Sequence, residues 1–368
     1  MNTSDTLEIA YPRYRFRRTI LNLSGRVLLR LLTRLQVQGM ENLPAEGPVI
    51  LAGNHLSNLE PMLMAVLPNR PVELIGAGDL PFVGLIDQIV DFYGYIPVKR
   101  GSLDRKAMNK ALSVLKQGGV LGIYPEGGIW NPGHMRAQVG VSWLSHKTQA
   151  PVVPISFSGF QMILSKIFKL KRPHIKMRIG KPIPALNIQD EEQTIKEVYQ
   201  EYADMVLEQI RALVDPQDFL LIPDHTEYSL QVLVEKNDKI IETVEINGSD
   251  ALAQFLFTPI IIDALAVNLK KPVQTLYPKE QPRWNKQFSD ALQEVIDVLS
   301  EFPGFLTYRL GMGQGQQAAT AVREVLQLLE TVSESDQIVL IDANAHSTYL
   351  DGRIEDKSYQ YRILPDPR

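Results

Sequence analysis

His55 stands at the end of an apolar run and is followed five positions later by Glu60, in the segment Asn54-His55-Leu56-Ser57-Asn58-Leu59-Glu60-Pro61. A neutral imidazole can take the proton of an alcohol, while a carboxylate at its other ring nitrogen fixes the tautomer and stabilises the imidazolium. These are two members of a catalytic triad, with a substrate hydroxyl in place of serine. The spacing alone discriminates poorly, because His346-Ser347-Thr348-Tyr349-Leu350-Asp351 repeats it. Nothing around that second pair suggests a ligand site, and the pair reads as a loop or turn. Context must therefore decide for His55.

Three further segments supply context. Gly94-Tyr95-Ile96-Pro97-Val98-Lys99-Arg100 sets two adjacent cations after an apolar run. Lys99 offers a point charge and Arg100 a bidentate fork, a combination suited to phosphate, although a solvated turn is the plain alternative. Tyr124-Pro125-Glu126-Gly127-Gly128 follows an apolar run, and its paired glycines allow backbone amides close to a ligand. Ala150-Pro151-Val152-Val153-Pro154-Ile155 is a proline-punctuated strand candidate.

The elements that must position these residues are legible as an alternation. Strand-like runs lie at Pro48–Ala52, Val72–Ile75, Val120–Tyr124, Val152–Phe157 and Ile175–Ile179. Helical stretches at Pro61–Leu67, Leu103–Gln117 and Gly140–Thr148 fall between them, and a long polar helix spans Gln189–Leu213. That order predicts an α/β sheet with helices on its faces, and strand ends are where such folds keep their sites. The strongest break, Pro216–Pro223, sets the expected domain boundary. Beyond it the chain reads as a smaller α+β unit: a hairpin over Ser229–Ile246 turning at Asn237-Asp238, helices at Gln287–Leu299 and Gln317–Val332, and a last strand at Gln337–Ile341. The expected organisation is 1–38 as a basic amphipathic helix, 39–215 as the chemical domain and 216–368 as a unit of unassigned role.

Residues 1–40 hold seven arginines against Asp5 and Glu8, and Arg26, Arg30 and Arg34 recur every four residues. That stripe fits a helix lying on anionic lipid, or equally a helix packed on its domain with solvated arginines. The N-terminus carries no secretory pattern, which predicts a cytoplasmic location. The best apolar run, Phe255–Val267, is broken by Pro259 and Asp263 and falls short of the roughly 18 residues a span requires, so membrane attachment is expected to be peripheral. A net charge of −4 gives no general attraction to nucleic acid, and the absence of cysteine excludes disulfides, thiolate metal sites and a cysteine nucleophile.

Taken in order, the blocks Asn54-His55 to Glu60, Gly94 to Arg100, Tyr124-Pro125-Glu126-Gly127 and Val153-Pro154-Ile155 resemble the signature of the glycerolipid acyltransferase family, which includes lysophosphatidic acid and glycerol-3-phosphate acyltransferases. Arg178-Ile179-Gly180-Lys181-Pro182-Ile183 resembles the family's closing strand and turn, which extends the likeness over residues 15–213. The resemblance implies a glycerol-phosphate-acyltransferase-like α/β domain in which His55, oriented by Glu60, acts as general base on the acceptor hydroxyl. That hydroxyl then attacks the thioester of acyl-CoA or acyl carrier protein. It implies further that Arg100 with Lys99 binds the acceptor phosphate, that Glu126 and Gly127 shape the acceptor site, and that Pro154 supports the thioester pocket. No metal or other cofactor is implied; lysophosphatidic acid or a related glycerol phosphate would be the acceptor in phospholipid biosynthesis.

Two departures stand out. Glu60 replaces the family's usual Asp, one methylene longer where orientation matters. Gly128-Ile129-Trp130 replaces the family's Thr-Arg continuation, with Arg136 or Lys171-Arg172 as candidate compensating cations and a non-phosphate lysolipid as the alternative acceptor. A silent lipid or acyl-carrier binding module is the rival from a different class. A hydrolase is the nearer rival, but no Gly-x-Ser-x-Gly elbow is present. In the second unit, Gly311-Met312-Gly313-Gln314-Gly315 lacks nucleotide-fingerprint spacing and reads as a turn, and Asp342, His346 and Asp351 alone do not define a metal site.

Overall fold

The computed structural model describes residues 8–55, 59–78, 85–99, 104–127, 137–160, 163–188, 193–220, 223–258, 261, 285–301, 310, 314–333 and 337–363. The chain divides into two compact units, with the break between Ile222 and Pro223 inside the proline-bounded stretch.

The first unit begins with α1 (Arg15–Leu32) and β1 (Arg34–Gln38), then β2 (Val49–Gly53), α2 (Glu60–Val66), β3 (Val72–Ala77), α3 (Leu85–Tyr93) and β4 (Ile96–Val98). It continues through α4 (Arg105–Lys116), β5 (Val120–Ile123), α5 (Gly140–Thr148), β6 (Val152–Ser158), α6 (Ile163–Phe168), β7 (His174–Ile179) and α7 (Ile195–Leu213). Its seven strands form one sheet in the order β1-β7-β6-β2-β5-β3-β4. β6, β2, β5, β3 and β4 run parallel, and β7 turns antiparallel against β6. β2 lies inside this parallel run and all five of its residues are buried, as expected of a strand covered on both faces. Alternation divides it: Ile50 and Ala52 join the core under α4, α5 and α7, while Val49 and Leu51 join the core on the other face, with Leu63 and Met64 of α2. Local sequence signals set the helix starts. The Asp104 carboxylate accepts from the Ala107 N–H at the head of α4, and Thr194 and Glu197 form a reciprocal capping box on α7.

The basic N-terminal helix departs from expectation. It ends at Leu32, and Arg34 belongs to β1, paired with His174. Its inner arginines turn toward the domain: Arg18, almost fully buried, forks onto the buried Glu73 at 2.6 and 2.9 Å, and Arg26 donates to the carbonyls of Val66 and Pro68. Arg13 adds a third contact to the same Glu73 carboxylate at 2.6 Å. Two guanidinium groups and one buried acid thus tie the start of α1 to β3, a link between residues 55 or more apart that periodicity cannot reveal. β1 and β4 also escape a sequence reading, because both are short edge strands without a long apolar run.

In the second unit a four-stranded antiparallel sheet has the order β11-β10-β8-β9, where β8 is His225–Lys236, β9 Lys239–Val244, β10 Ile338–Thr348 and β11 Ile354–Ile363. Helices Ser249–Leu256, Asn285–Glu301 and Gln314–Ser333 supply much of its core. Asn237 and Asp238 both adopt positive φ in the two-residue turn between β8 and β9, as a primed hairpin turn demands. Two expectations fail here. The strand expected to be last runs on to Thr348 and is followed by β11, so His346 is a strand residue rather than part of a turn. Its partner is Asp356 across the ladder, at 2.6 Å, and Asp351 instead bonds Arg353. Gly315 lies inside a helix; Gly311 to Gly313 are outside the described residues.

Candidate active site

The carboxyl ends of β6, β2 and β5 share one edge of the sheet, since the three strands run parallel. At the end of β2 the Asn54 amide acts as a false strand residue. Its Nδ2 donates to the Phe157 carbonyl at 3.0 Å, and its Oδ1 accepts from the Phe157 N–H at 2.7 Å. This two-point clamp holds the chain to β6 one residue past the ladder, so that His55 leaves the sheet edge from a fixed point.

His55 meets partners from two further elements. Its Nδ1 lies 3.9 Å from Oε2 of Glu60, the first residue of α2, whose carboxylate is completely buried while the imidazole remains 17% exposed. That separation is within ion-pair range and longer than a hydrogen bond, the usual condition of a catalytic pair before substrate arrives. The Tyr124 ring, just past β5, stacks on the imidazole with centroids 4.5 Å apart and planes 28° from parallel. The Tyr124 hydroxyl is buried without a hydrogen-bond partner among the described residues, and burial, with the Glu60 charge beside it, pushes its pKa well above the ordinary value.

Glu126 completes the cluster. The turn Tyr124–Gly127 closes with the Gly127 N–H on the Tyr124 carbonyl at 2.9 Å, Pro125 at its second position and Gly127 at φ +75°. The turn carries the Glu126 carboxyl inward, to 3% exposure, where it accepts the His55 backbone N–H. Desolvation pushes its pKa up to about 7, against the lowering effects of that hydrogen bond and of the Arg211 charge.

The structure thus unites His55, Glu60, Glu126 and Gly127. Pro154 pairs with Ala52 within β6, three residues upstream of the Phe157 clamp, and stacks near Gly180, whose added Cβ would meet the proline ring at 2.8 Å. It belongs to the supporting sheet. Lys99 follows β4 on the same sheet edge and is exposed; its backbone N–H is held by Asp104 at 3.0 Å. Three inter-strand spacings separate β4 from β2, about 14 Å. Arg100 and Arg136 are outside the described residues. The Arg172 guanidinium donates through one nitrogen to the carbonyls of Arg30 and Thr33, at the end of α1. Sequence reasoning assigned no role to Asn54 or Tyr124, although a polar residue closing a wholly apolar strand signals a strand-end clamp. Among the described residues no cluster of three or more His, Cys, Asp or Glu could hold a metal, and no helix is long and apolar enough to cross a membrane.

Residues 34–158, which carry the histidine and the buried carboxylate facing it, match the Acyltransferase family model. This segment contains every candidate site residue from His55 to Pro154. It is 27% identical over 126 residues to the 1-acyl-sn-glycerol-3-phosphate acyltransferase of Borreliella burgdorferi, covering 33% of this chain and 50% of that protein. It is 28% identical over 162 residues to the alpha form of Homo sapiens, covering 41% and 55%, and 29% identical over 148 residues to that of Mus musculus, covering 36% and 48%. The chain therefore spans about half the length of the curated relatives it matches. The crystal structure of the 1-acyl-sn-glycerophosphate acyltransferase from Thermotoga maritima is similar with a TM-score of 0.37 at 18% identity, over 55% of this chain and 85% of that one.

Proposed function

We propose that this chain transfers a fatty acyl group from an acyl thioester, acyl-CoA or acyl carrier protein, to the hydroxyl of lysophosphatidic acid or a related glycerol phosphate, at the cytoplasmic face of a membrane. The observation that carries the reading is His55 standing between the buried Glu60 carboxylate and the Tyr124 ring at the end of β2. Nδ1 on the Glu60 side leaves Nε2 for the acceptor. Nε2 takes the hydroxyl proton as the oxygen attacks the thioester carbonyl, and the tetrahedral intermediate collapses with cleavage of the C–S bond. The leaving thiolate then takes the proton back from the imidazolium. Glu60 stabilises that cation without itself changing protonation. Glu126 holds the His55 backbone, and with Gly127 it borders the acceptor. A cation from the Lys99-Arg100 pair, with Arg136, neutralises the acceptor phosphate. No acyl-enzyme is required.

The test is transfer of a labelled acyl group from each donor to a panel of lysophosphatidic acid, glycerol-3-phosphate and lysolipids without a phosphate monoester, with His55→Ala beside the wild type. Loss of transfer in the variant with a normal fold supports the reading. Equal activity in the variant, or no transfer by the wild type with any pair, overturns it. Transfer confined to non-phosphate lysolipids keeps the reaction and replaces the acceptor, in keeping with the missing Thr-Arg of the third block.

A further inference from the structure

The amphipathic helix is mounted opposite to what its arginines suggest. Phe16, Ile20, Leu23, Val27 and Leu31 follow one another at intervals of four, three, four and four residues, which places them on a single stripe of α1. That stripe faces away from the protein: Phe16 is 81% exposed, Leu23 66% and Leu31 64%, while Arg18 and Arg26 on other faces bond the domain. Leu21 and Leu29 on the inner face pack against the core, so this outward apolar stripe is additional to the face that holds the helix, and a continuous exposed stripe of this kind is unfavourable in water.

A second element repeats the pattern. The end of α6 and the turn after it expose Phe168 and Leu170 to 82% and 83%, the highest values among the described large apolar side chains. Leu170 sits at φ +55°, a left-handed position that favours glycine, in the turn closed by the Lys171 N–H on the Lys166 carbonyl. A branched apolar residue is thus kept, against backbone preference, where it reaches only solvent. This turn adjoins the end of α1: Arg172 donates to the carbonyls of Arg30 and Thr33, and the Arg34 N–H donates to the Pro173 carbonyl. Residues 15–32 and 163–178 contain no acid, and the second segment carries Lys166, Lys169 and Lys171 around its two exposed apolar residues.

We propose that the outward stripe of α1 and the Phe168–Leu170 turn form the surface that inserts into an anionic lipid bilayer. Apolar side chains would enter the acyl boundary and the flanking lysines would meet the headgroups. The choice of a bilayer rests on the acyl-transfer reading, since its acceptor is a lipid, and on Lys166, Lys169 and Lys171 flanking the exposed apolar residues, which complement anionic headgroups. Arginine-led adsorption would vanish in high salt, whereas apolar insertion persists.

The test is co-sedimentation with vesicles of phosphatidylcholine and phosphatidylglycerol at low and high salt, without acyl donor. The variants are L23E/V27E and F168S/L170G; all four positions are exposed, and glycine suits the left-handed site, so the fold is retained. Each pair is expected to lower vesicle partition at least about tenfold, with much of the wild-type partition surviving high salt. His55→Ala should bind vesicles as the wild type does, which separates failure of docking from failure of chemistry. With the acceptor in vesicles the two surface variants should lose transfer, and with a detergent-dispersed acceptor they should keep it. Unchanged partition in both variants, or partition abolished by salt, overturns the proposal. So does a dimer of wild type that L23E/V27E dissociates while vesicle binding is unaffected, because a second copy would then be the occupant.

Discussion

The buried Glu126 carboxyl gives a quantitative prediction. Its folded pKa is about 7 against an ordinary value of 4.5, so the folded state holds a proton that the unfolded state releases between those values. The contribution of this group is therefore fully present below about pH 4.5 and is lost as pH rises through about 7. The 2.5-unit difference corresponds to about 3 kcal/mol in all, of which about 2.5 kcal/mol falls between pH 5 and pH 8. Only 3% of the residue is exposed, so solvent screens little of this. Glu126→Gln keeps the shape and an oxygen to accept the His55 N–H, and removes the proton. Denaturant unfolding of both proteins, followed through Trp143 with Trp130 and Trp284 replaced by Phe, would report on the unit that contains α5. The stability of wild type relative to Glu126→Gln should fall by about 2.5 kcal/mol from pH 5 to pH 8. A difference that stays flat across that range would mean that Glu126 is solvated or ionised in the folded protein, and the cluster around His55 would have to be redrawn.

Three further outcomes follow from the geometry. Glu60→Asp restores the residue usual in the family, but it withdraws the carboxylate by about 1.5 Å from an imidazole already 3.9 Å away, so kcat should drop, on the order of 10-fold to 100-fold, with KM little changed in the transfer assay. Tyr124→Phe keeps the ring stacked on His55 and deletes a buried hydroxyl with no partner among the described residues; thermal unfolding should show a protein at least as stable, by up to about 1 kcal/mol, whereas a loss of stability would expose a partner for that hydroxyl. Glu73→Gln leaves Arg18 buried without its counter-charge and should cost about 3 kcal/mol in denaturant unfolding, while Arg13→Ala, at the exposed rim of the same cluster, should cost clearly less.

Much of this arrangement could be read along the chain, and the failures are local. The central strands and helices α2, α4 and α5 came within a residue or two, because burial on both faces leaves a run such as Val49–Gly53 wholly apolar, whereas α3 was not expected and the helix expected from Gln189 begins at Ile195, where the Thr194 capping box starts it. Strand β11 was missed because its residues Ile354 to Ser358 are exposed and mostly polar, with no period to detect. The pair at His346 and Asp351 misled because spacing in sequence does not register pairing across a ladder, which joins His346 to Asp356.

The sequence by itself determined the order of the central strands, the candidate catalytic pair His55 and Glu60, and the turn at Pro125 to Gly127, since apolar periodicity, residue chemistry and turn preference are all short-range properties. Only the tertiary structure decided which way α1 faces, that Asn54 locks His55 to β6, that Tyr124 stacks on the imidazole and that Glu126 is held near neutral pH. Each of these depends on residues brought together from distant parts of the chain and on the water excluded when they meet, and neither distance through space nor desolvation is written in local sequence.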